Sequence, residues 1–330
     1  MFYFRQIYSM GSSFLVEQIV SSRQALDGKA SGIMLGLCVL WGLQQVVLKL
    51  AAPDISTVMQ IALRSGLSAL MVYPMIKLAK GASLWGSDYL PAGILVGVLF
   101  AAEFFLVAQA LRFTSASHTV VLLYTAPIFV ALGLHWKLPS ERLSVIQWLG
   151  IGLAFFGIVI AFLFHPSDSQ ALVTSALWGD VLALLAGILW AATTIAVRLT
   201  KLAEAPATQT LFYQLFIAFL LLLPLSFFMG QATIHWSALS ISSLLFHTVV
   251  VSFGSYLIWF WLLRKYLASQ LGVFSFLTPI FGMCFGVMFL KEQLELNFLL
   301  GTGFVLMGVM VVSLHHKIKQ YLQAFKAALQ

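Results

Sequence analysis

The sequence predicts an all-α membrane protein with ten transmembrane helices arranged as two inverted five-helix repeats. Three observations carry this. Of 330 residues, 61% are hydrophobic and 9% charged, against roughly 25% charged residues in a soluble domain. Apolar runs long enough to cross a bilayer, about 20 residues at 1.5 Å rise, recur at 32–50, 56–78, 89–111, 116–135, 144–165, 177–199, 207–229, 238–262, 268–290 and 296–314. Finally, the chain is written twice. Trp41 to Lys49 (WGLQQVVLK) returns 149 positions later as Trp190 to Arg198 (WAATTIAVR). Leu111 to Pro127 matches Leu263 to Pro279 at an offset of 152, and Glu141 to Gly157 matches Glu292 to Gly308 at 151. Five spans per copy is odd, so the second copy enters the bilayer from the opposite side.

Orientation follows from the cations, because loops rich in Lys and Arg stay cytoplasmic. With the N-terminus inside, fourteen fall on the cytoplasmic side, including Arg23, Lys80, Arg142, Lys201 and Lys317, and only Lys49, Arg112 and Lys291 on the other. Both termini are therefore expected inside. The net charge of +7 is read as topology signal, not as a nucleic-acid surface. Residues 1–31 mix Phe2, Phe4, Ile7 and Phe14 with Arg5, Glu17 and Arg23. They read as an amphipathic segment on the inner membrane face; a spanning helix or a signal peptide fits poorly. Residues 315–330 read as a short basic cytoplasmic tail. Cys38 and Cys284 each lie in an apolar run and read as small packing residues.

The two halves, 32–165 and 177–314, resemble two EamA domains of the drug/metabolite transporter superfamily. The resemblance rests on W-G-x-x-x-x-x-x-K at Trp41, Gly42 and Lys49, on Ala110 to Leu132, and on the acidic residue opening the last hairpin of each half, Glu141 and Glu292. It implies ten helices, cytoplasmic termini, and export or exchange of small metabolites across a bacterial inner membrane. The absence of an N-x-S/T sequon, the only Asn being Asn297, agrees with that compartment. No cofactor and no metal ligand set is expected. Expected partners are a small-molecule solute, membrane lipid and a coupling proton, with no nucleic acid, in a monomer or homodimer.

Ionisable groups inside a span are costly and tend to mark function. Arg64 and Glu103 each lie eight residues from the outer end of their span, roughly 12 Å deep, and are not part of the general family pattern. An ion pair between them is expected to be geometrically available. It serves either substrate binding and proton coupling or helix orientation alone. His118 and His247, in the same outer half, suit a proton relay or a packing role. Trp41, Gln44 and Gln45 share one helical face at i, i+3 and i+4. Tyr124, Tyr256 and Trp259, with Trp190 and Tyr213, offer aromatic walls for an organic solute. Pro127 and Pro279 take equivalent mid-helix positions, as do Pro74 and Pro224, and are read as paired hinges. Gly150, Gly152 and Gly157 repeat as Gly301, Gly303 and Gly308, a close-packing pattern whose use within one chain or between two stays open.

These residues favour a secondary transporter, most simply an exporter of an amino-acid-like, amphipathic or drug-like solute. Two other readings remain: a lipid-linked carrier or multidrug exporter, and a membrane-embedded enzyme with Glu103 and His118 as acid and base. An enzyme would gather its polar groups into one cluster or long loop, whereas here they spread over the first four spans and the eighth. No phosphate-binding G-x-x-x-x-G-K-[ST] is present.

Overall fold

The computed structural model describes residues 27–78, 84, 88–137, 143–163, 170–266, 271, 274–275 and 277–328. The expected amphipathic segment within 1–26, and Glu141, lie outside these residues. Among them the regular elements are all helices, with bridge residues at Ile55, paired with Ile234, and at Tyr266.

Helix α1 (Gly28–Leu50) starts where the Asp27 side chain accepts from the Ala30 N–H at 2.7 Å. The next two are α2 (Thr57–Leu78) and α3 (Leu90–Phe113), the latter opened by Pro91, whose missing N–H costs nothing in a first turn. Ser115 caps α4 (Ala116–Leu123) through the His118 N–H. Then come α5 (Ala126–Lys137), α6 (Val145–Leu163) and α7 (Gln170–Leu199). After them run α8 (Ala207–Phe228) and α9 (Ala238–Leu245), which a Ser237/Ser240 capping box starts. A π-helix (Phe246–Ser255) continues directly into α10 (Tyr256–Lys265). The chain closes with α11 (Leu277–Leu290) and α12 (Leu296–Ala328).

Seven stretches are long and apolar enough to cross a membrane, and three shorter apolar helices, Val145–Ala161, Leu277–Leu290 and Leu296–Val312, accompany them. Their outward faces carry large apolar side chains such as Leu70, Phe156 and Phe228. This is a multi-pass membrane protein, because such a surface is stable against lipid and not against water.

The fourth expected span, 116–135, is met by Ala116–Lys137, but as two helices parted at Tyr124 and Thr125, and Pro127 is the reason. It has no N–H to offer the Leu123 carbonyl, so the ladder of α4 cannot be carried through it. The Thr125 hydroxyl donates to the Leu122 carbonyl at 2.6 Å across the gap. Pro127 therefore stands in the first turn of α5 instead of bending a continuous helix; Pro279 lies within α11. Pro74 and Pro224 do lie inside helices. Nothing from Val309 to Ala328 is Gly or Pro, and α12 runs on to Ala328, through most of the stretch read as the basic tail. Cys284 is exposed, not packed, while Cys38 is buried.

The glycine repeats resolve within one chain. A Cβ on Gly150 would meet the Gly308 carbonyl and one on Gly157 the Gly301 carbonyl, so α6 and α12 touch backbone to backbone. Gly152 and Gly303 meet nothing within 4 Å. Elsewhere α1 packs on α11, α7 on α3, α4 and α5, and α8 on both α2 and α3. These contacts set the central side chains at one level.

Candidate functional site

The central layer forms where α1, α2, α3 and the π-helix meet. Arg64 of α2 is among the largest fully buried side chains, 1% exposed. Its guanidinium stays charged, so its surroundings matter. Nη1 donates to Gln44 Oε1 at 3.4 Å, and Cζ stands 4.5 Å over the Phe104 ring. Nε has no hydrogen-bond partner. The expected ion pair is not formed. Glu103 and Arg64 lie within electrostatic reach of each other, yet among the described residues no cation comes within 4.0 Å of the Glu103 carboxylate. The reason is rotational: on α3 it is Phe104, the next residue, that turns its ring to the guanidinium.

His247 is fully buried and knits the layer together. Nε2 lies 3.0 Å from the Gln44 carbonyl and Nδ1 lies 2.7 Å from the Ser243 carbonyl. A neutral ring carries one N–H and donates to one of them. The Ser243 hydroxyl donates to Gln60 Oε1 at 2.7 Å, and Gln60 Nε2 donates to the Leu48 and Ile55 carbonyls. α1, α2 and α9 are thereby fixed to one another. On the other face, Trp41 Nε1 donates to the Ser255 hydroxyl at 3.0 Å and its ring meets Trp259 edge-on at 5.4 Å. Tyr124 meets Trp190 in the same way at 5.2 Å. Tyr256 lies within electrostatic reach of both Arg64 and Glu103. Gln45 Oε1 and the hydroxyls of Ser65, Thr248 and Ser252 are buried without partners. A π-helix widens the turn and often marks function, and this one packs on α1 and α2, with His247 at the Gln44 carbonyl and the Thr248 carbonyl accepting from the Ser68 hydroxyl.

The structure thus brings Trp41, Gln44, Arg64, Glu103, His247, Tyr256 and Trp259 into one layer. His118 is not in it. It sits at the Lys49 end of the bundle, its ring stacked on Phe298 at 3.8 Å, with Nδ1 3.0 Å from both Asp180 carboxylate oxygens. Thr114 donates to the same carboxylate at 2.6 Å. Beside it, the Glu292 carboxylate caps α4. Oε1 accepts from the Ala116 N–H at 2.7 Å, and Oε2 accepts from the Ser117 N–H and hydroxyl at 3.0 and 2.6 Å. Lys49 lies 3.9 Å from Glu292 and donates to the Thr114 carbonyl. Lys291, at φ 54°, makes the reversal that turns Glu292 back over α11, a strained conformation for a non-glycine residue. These groups border a cavity of about 420 Å³ lined by Lys49, Arg112, His118, Glu292 and Glu295.

At the opposite end, Tyr266 donates to Asp27 Oδ2 at 2.9 Å. The Ala30 N–H and the Tyr266 hydroxyl hold the Asp27 carboxyl below the usual carboxylate range. Asp27 and Asp180 are 153 positions apart, and Thr114 and Tyr266 are 152. A hydroxyl-to-aspartate bond between the copies thus occurs at each end, with Asp180 four residues further into its helix than the 149 offset of Trp41 and Trp190 would place it. Sequence reasoning passed over Asp180, although the rule that singled out Glu103, an acid inside an apolar run, applies to it equally.

Residues 29–163 and 177–314 each match the EamA-like transporter family. The "Uncharacterized transporter YoaV" of Bacillus subtilis is 24% identical over 84% of this chain and 95% of its own length. The "Probable amino-acid metabolite efflux pump" of Escherichia coli is 26% identical over 87% and 95%. A solved chain titled only "Crystal structure of protein" superposes at TM-score 0.60 and 17% identity, over 87% of this chain and 98% of its own, and so shares the fold. Two family matches cover most of the sequence, one on each half: the chain belongs to the EamA-like transporter family and is a membrane transporter.

Proposed function

We propose that the protein is a secondary transporter that exports a small, amino-acid-like or amphipathic metabolite across the bacterial cytoplasmic membrane by alternating access. The observation that carries this is a buried layer of polar groups whose hydrogen bonds are only partly used, set midway between two tied ends inside a transporter fold. Substrate sites of inverted-repeat transporters lie at that level. Arg64, Gln44, Gln45, Trp41, Tyr124, Tyr256 and Trp259 are the proposed solute contacts. Glu103 and His247 are proposed for proton coupling, and His118, with Asp180, for the gate at the Lys49 end.

The contacts support ten spans in two inverted copies. α1 packs on α11 as α4 and α5 pack on α7, and α2 packs on the π-helix as α3 packs on α8; exchanging the copies maps each pair onto the other. The Lys49 end is then the outer one, and both termini are cytoplasmic. Pro127 and Pro279 are the proposed hinges. Substituting either by Ala slows turnover more than it weakens binding.

Metabolite profiling of medium from cells with and without the chain tests the function, and proteoliposome transport of whatever accumulates tests the mechanism. One solute should accumulate outside expressing cells and move in vesicles along a proton gradient. Unchanged medium together with inert vesicles would contradict the reading. Reporter fusions after Leu202 and Lys319 should report cytoplasm and one after Ser169 the far side; Ser169 and Lys319 on the same side would break the inverted repeat.

A further inference from the structure

We propose that Arg64 grips a carboxylate of the transported solute, which makes the solute class organic carboxylates; this rests on the reading of the central layer as the solute site. Every other cation of α1 to α3 that ends its helix sits in a terminal turn: Lys49, Lys77 and Arg112. Of these, Lys49 faces the carboxylate of Glu292 and Arg112 donates to Gln109 at 2.9 Å. Exposed Lys201 reaches Asp88 at 2.6 Å. Arg64, the most buried of them, has no carboxylate within 4.0 Å and keeps a single, long hydrogen bond to a neutral amide.

The unused donors have a definite shape. A guanidinium offers two parallel N–H groups along its Nε–Nη2 edge, the fork that fits the two oxygens of a carboxylate. In Arg64 it is Nη1 that is taken, by Gln44; Nε donates to nothing, and no hydrogen bond involves Nη2. Three hydroxyls without partners, Ser65 beside it on α2 and Thr248 and Ser252 on the π-helix packed against α2, are available as further donors. Phe104 closes one face of the guanidinium, which leaves the edge as the approach. One cation also sets the charge. Among the described residues Arg64 is the one Lys or Arg in the layer, so with Glu103 protonated a single negative charge is matched and a phosphate dianion is not. A carboxylate meets both requirements, edge shape and charge.

The test uses the purified full-length chain and the probes benzoate, L-phenylalanine and L-leucine, each beside its primary amide, with phenyl phosphate as the dianion. Thermal stabilisation gives binding, and counterflow in proteoliposomes gives movement. At least one acid should stabilise the wild type and bind at least about tenfold more tightly than its amide, the scale of a lost charged hydrogen bond. Arg64→Gln should abolish that preference, and Arg64→Lys, which keeps the charge and loses the fork, should weaken it. Equal binding of acids and amides, a preference that survives in Arg64→Gln, tighter binding of phenyl phosphate, or no stabilisation by any acid overturns the proposal. Where Arg64→Gln does not fold, the acid–amide comparison in the wild type decides. Solutes that move without regard to their carboxylate sink this inference and leave the transporter reading standing. Acid-specific binding with no movement of any solute does the reverse.

Discussion

α1 and α7 stand in equivalent places in the two copies, and they differ in what their polar groups are free to do. Both carry the tryptophan, Trp41 and Trp190, and both tryptophans meet an aromatic partner edge-on. Three and four residues further on, α1 has Gln44 and Gln45 where α7 has Thr193 and Thr194. The threonines are spent on their own helix: Thr193 donates to the Leu189 carbonyl at 2.9 Å and Thr194 to the Trp190 carbonyl at 3.0 Å. The glutamines reach outward, Gln44 to Arg64, while Gln45 Oε1 is left without a partner. The asymmetry continues through the copies. Arg64 and Glu103 are buried in α2 and α3, whereas α8, α9 and the π-helix contain no Asp, Glu, Lys or Arg. The two copies share the frame, but the buried charges of the central layer, Arg64 and Glu103, lie in one copy. Satisfied polar groups hold helices; unsatisfied buried ones are costly to keep and so point to a ligand.

The largest expected effect falls on the frame. Gly157→Leu or Gly308→Leu places a side chain where α6 and α12 share backbone contact. Each should lower stability by at least about 1–3 kcal/mol, the scale of overpacking. Yield and melting temperature in detergent check this, and wild-type melting would show that the seam is loose. Next comes the comparison itself. Gln44→Leu should cut transport about tenfold, as loss of a hydrogen bond to a charged group does, while Thr193→Val stays within about twofold because its bond only returns to its own helix. Equal losses in vesicle assays would erase the distinction between the copies.

Glu292→Gln removes a charge from the cap of α4 and from Lys49. It should cost about 1–2 kcal/mol, the scale of a lost cap, and raise labelling of a cysteine placed at Ser115. Unchanged labelling would mean that this end is not held by Glu292. The smallest effect is at the exposed pair Lys201–Asp88. Lys201 holds the Asp88 carboxyl below the usual carboxylate range. The pair's small contribution is therefore complete above the ordinary carboxylate pKa and fades as pH falls through the lowered one. Asp88→Asn should leave melting at neutral pH almost unchanged and flatten only that acid shoulder.

Much of this was legible in the chain. The spans follow from apolar runs alone, and Arg64 and Glu103 follow from the cost of charge in lipid. Gln44 and Trp41 follow from helical spacing. Depth along a helix is also readable, which is why Arg64 and Glu103 could be set at one level. Rotation about the helix axis is not, and it decides that Phe104, not Glu103, meets the guanidinium. The Glu292 cap joins residues 175 positions apart, an adjacency that only packing creates. The π-helix left no trace in the apolar pattern, which reads as one continuous run over 238–262. The break at Tyr124 could have been read from Pro127.

The measurement that most directly tests whether the charged layer works on solute, and not merely on helix orientation, is transport by the double variant Glu103→Gln/Arg64→Gln. Removing one charge strands the other in a poor solvent, which confuses folding with function. Removing both roughly keeps size and hydrogen bonding while taking away both charges and leaving the net charge of the pair unchanged. The account predicts folded protein at wild-type yield and melting temperature with transport reduced at least about tenfold, and for Glu103→Gln alone, solute binding without pH-dependent movement. A double variant that transports at the wild-type rate with the wild-type pH profile would contradict it.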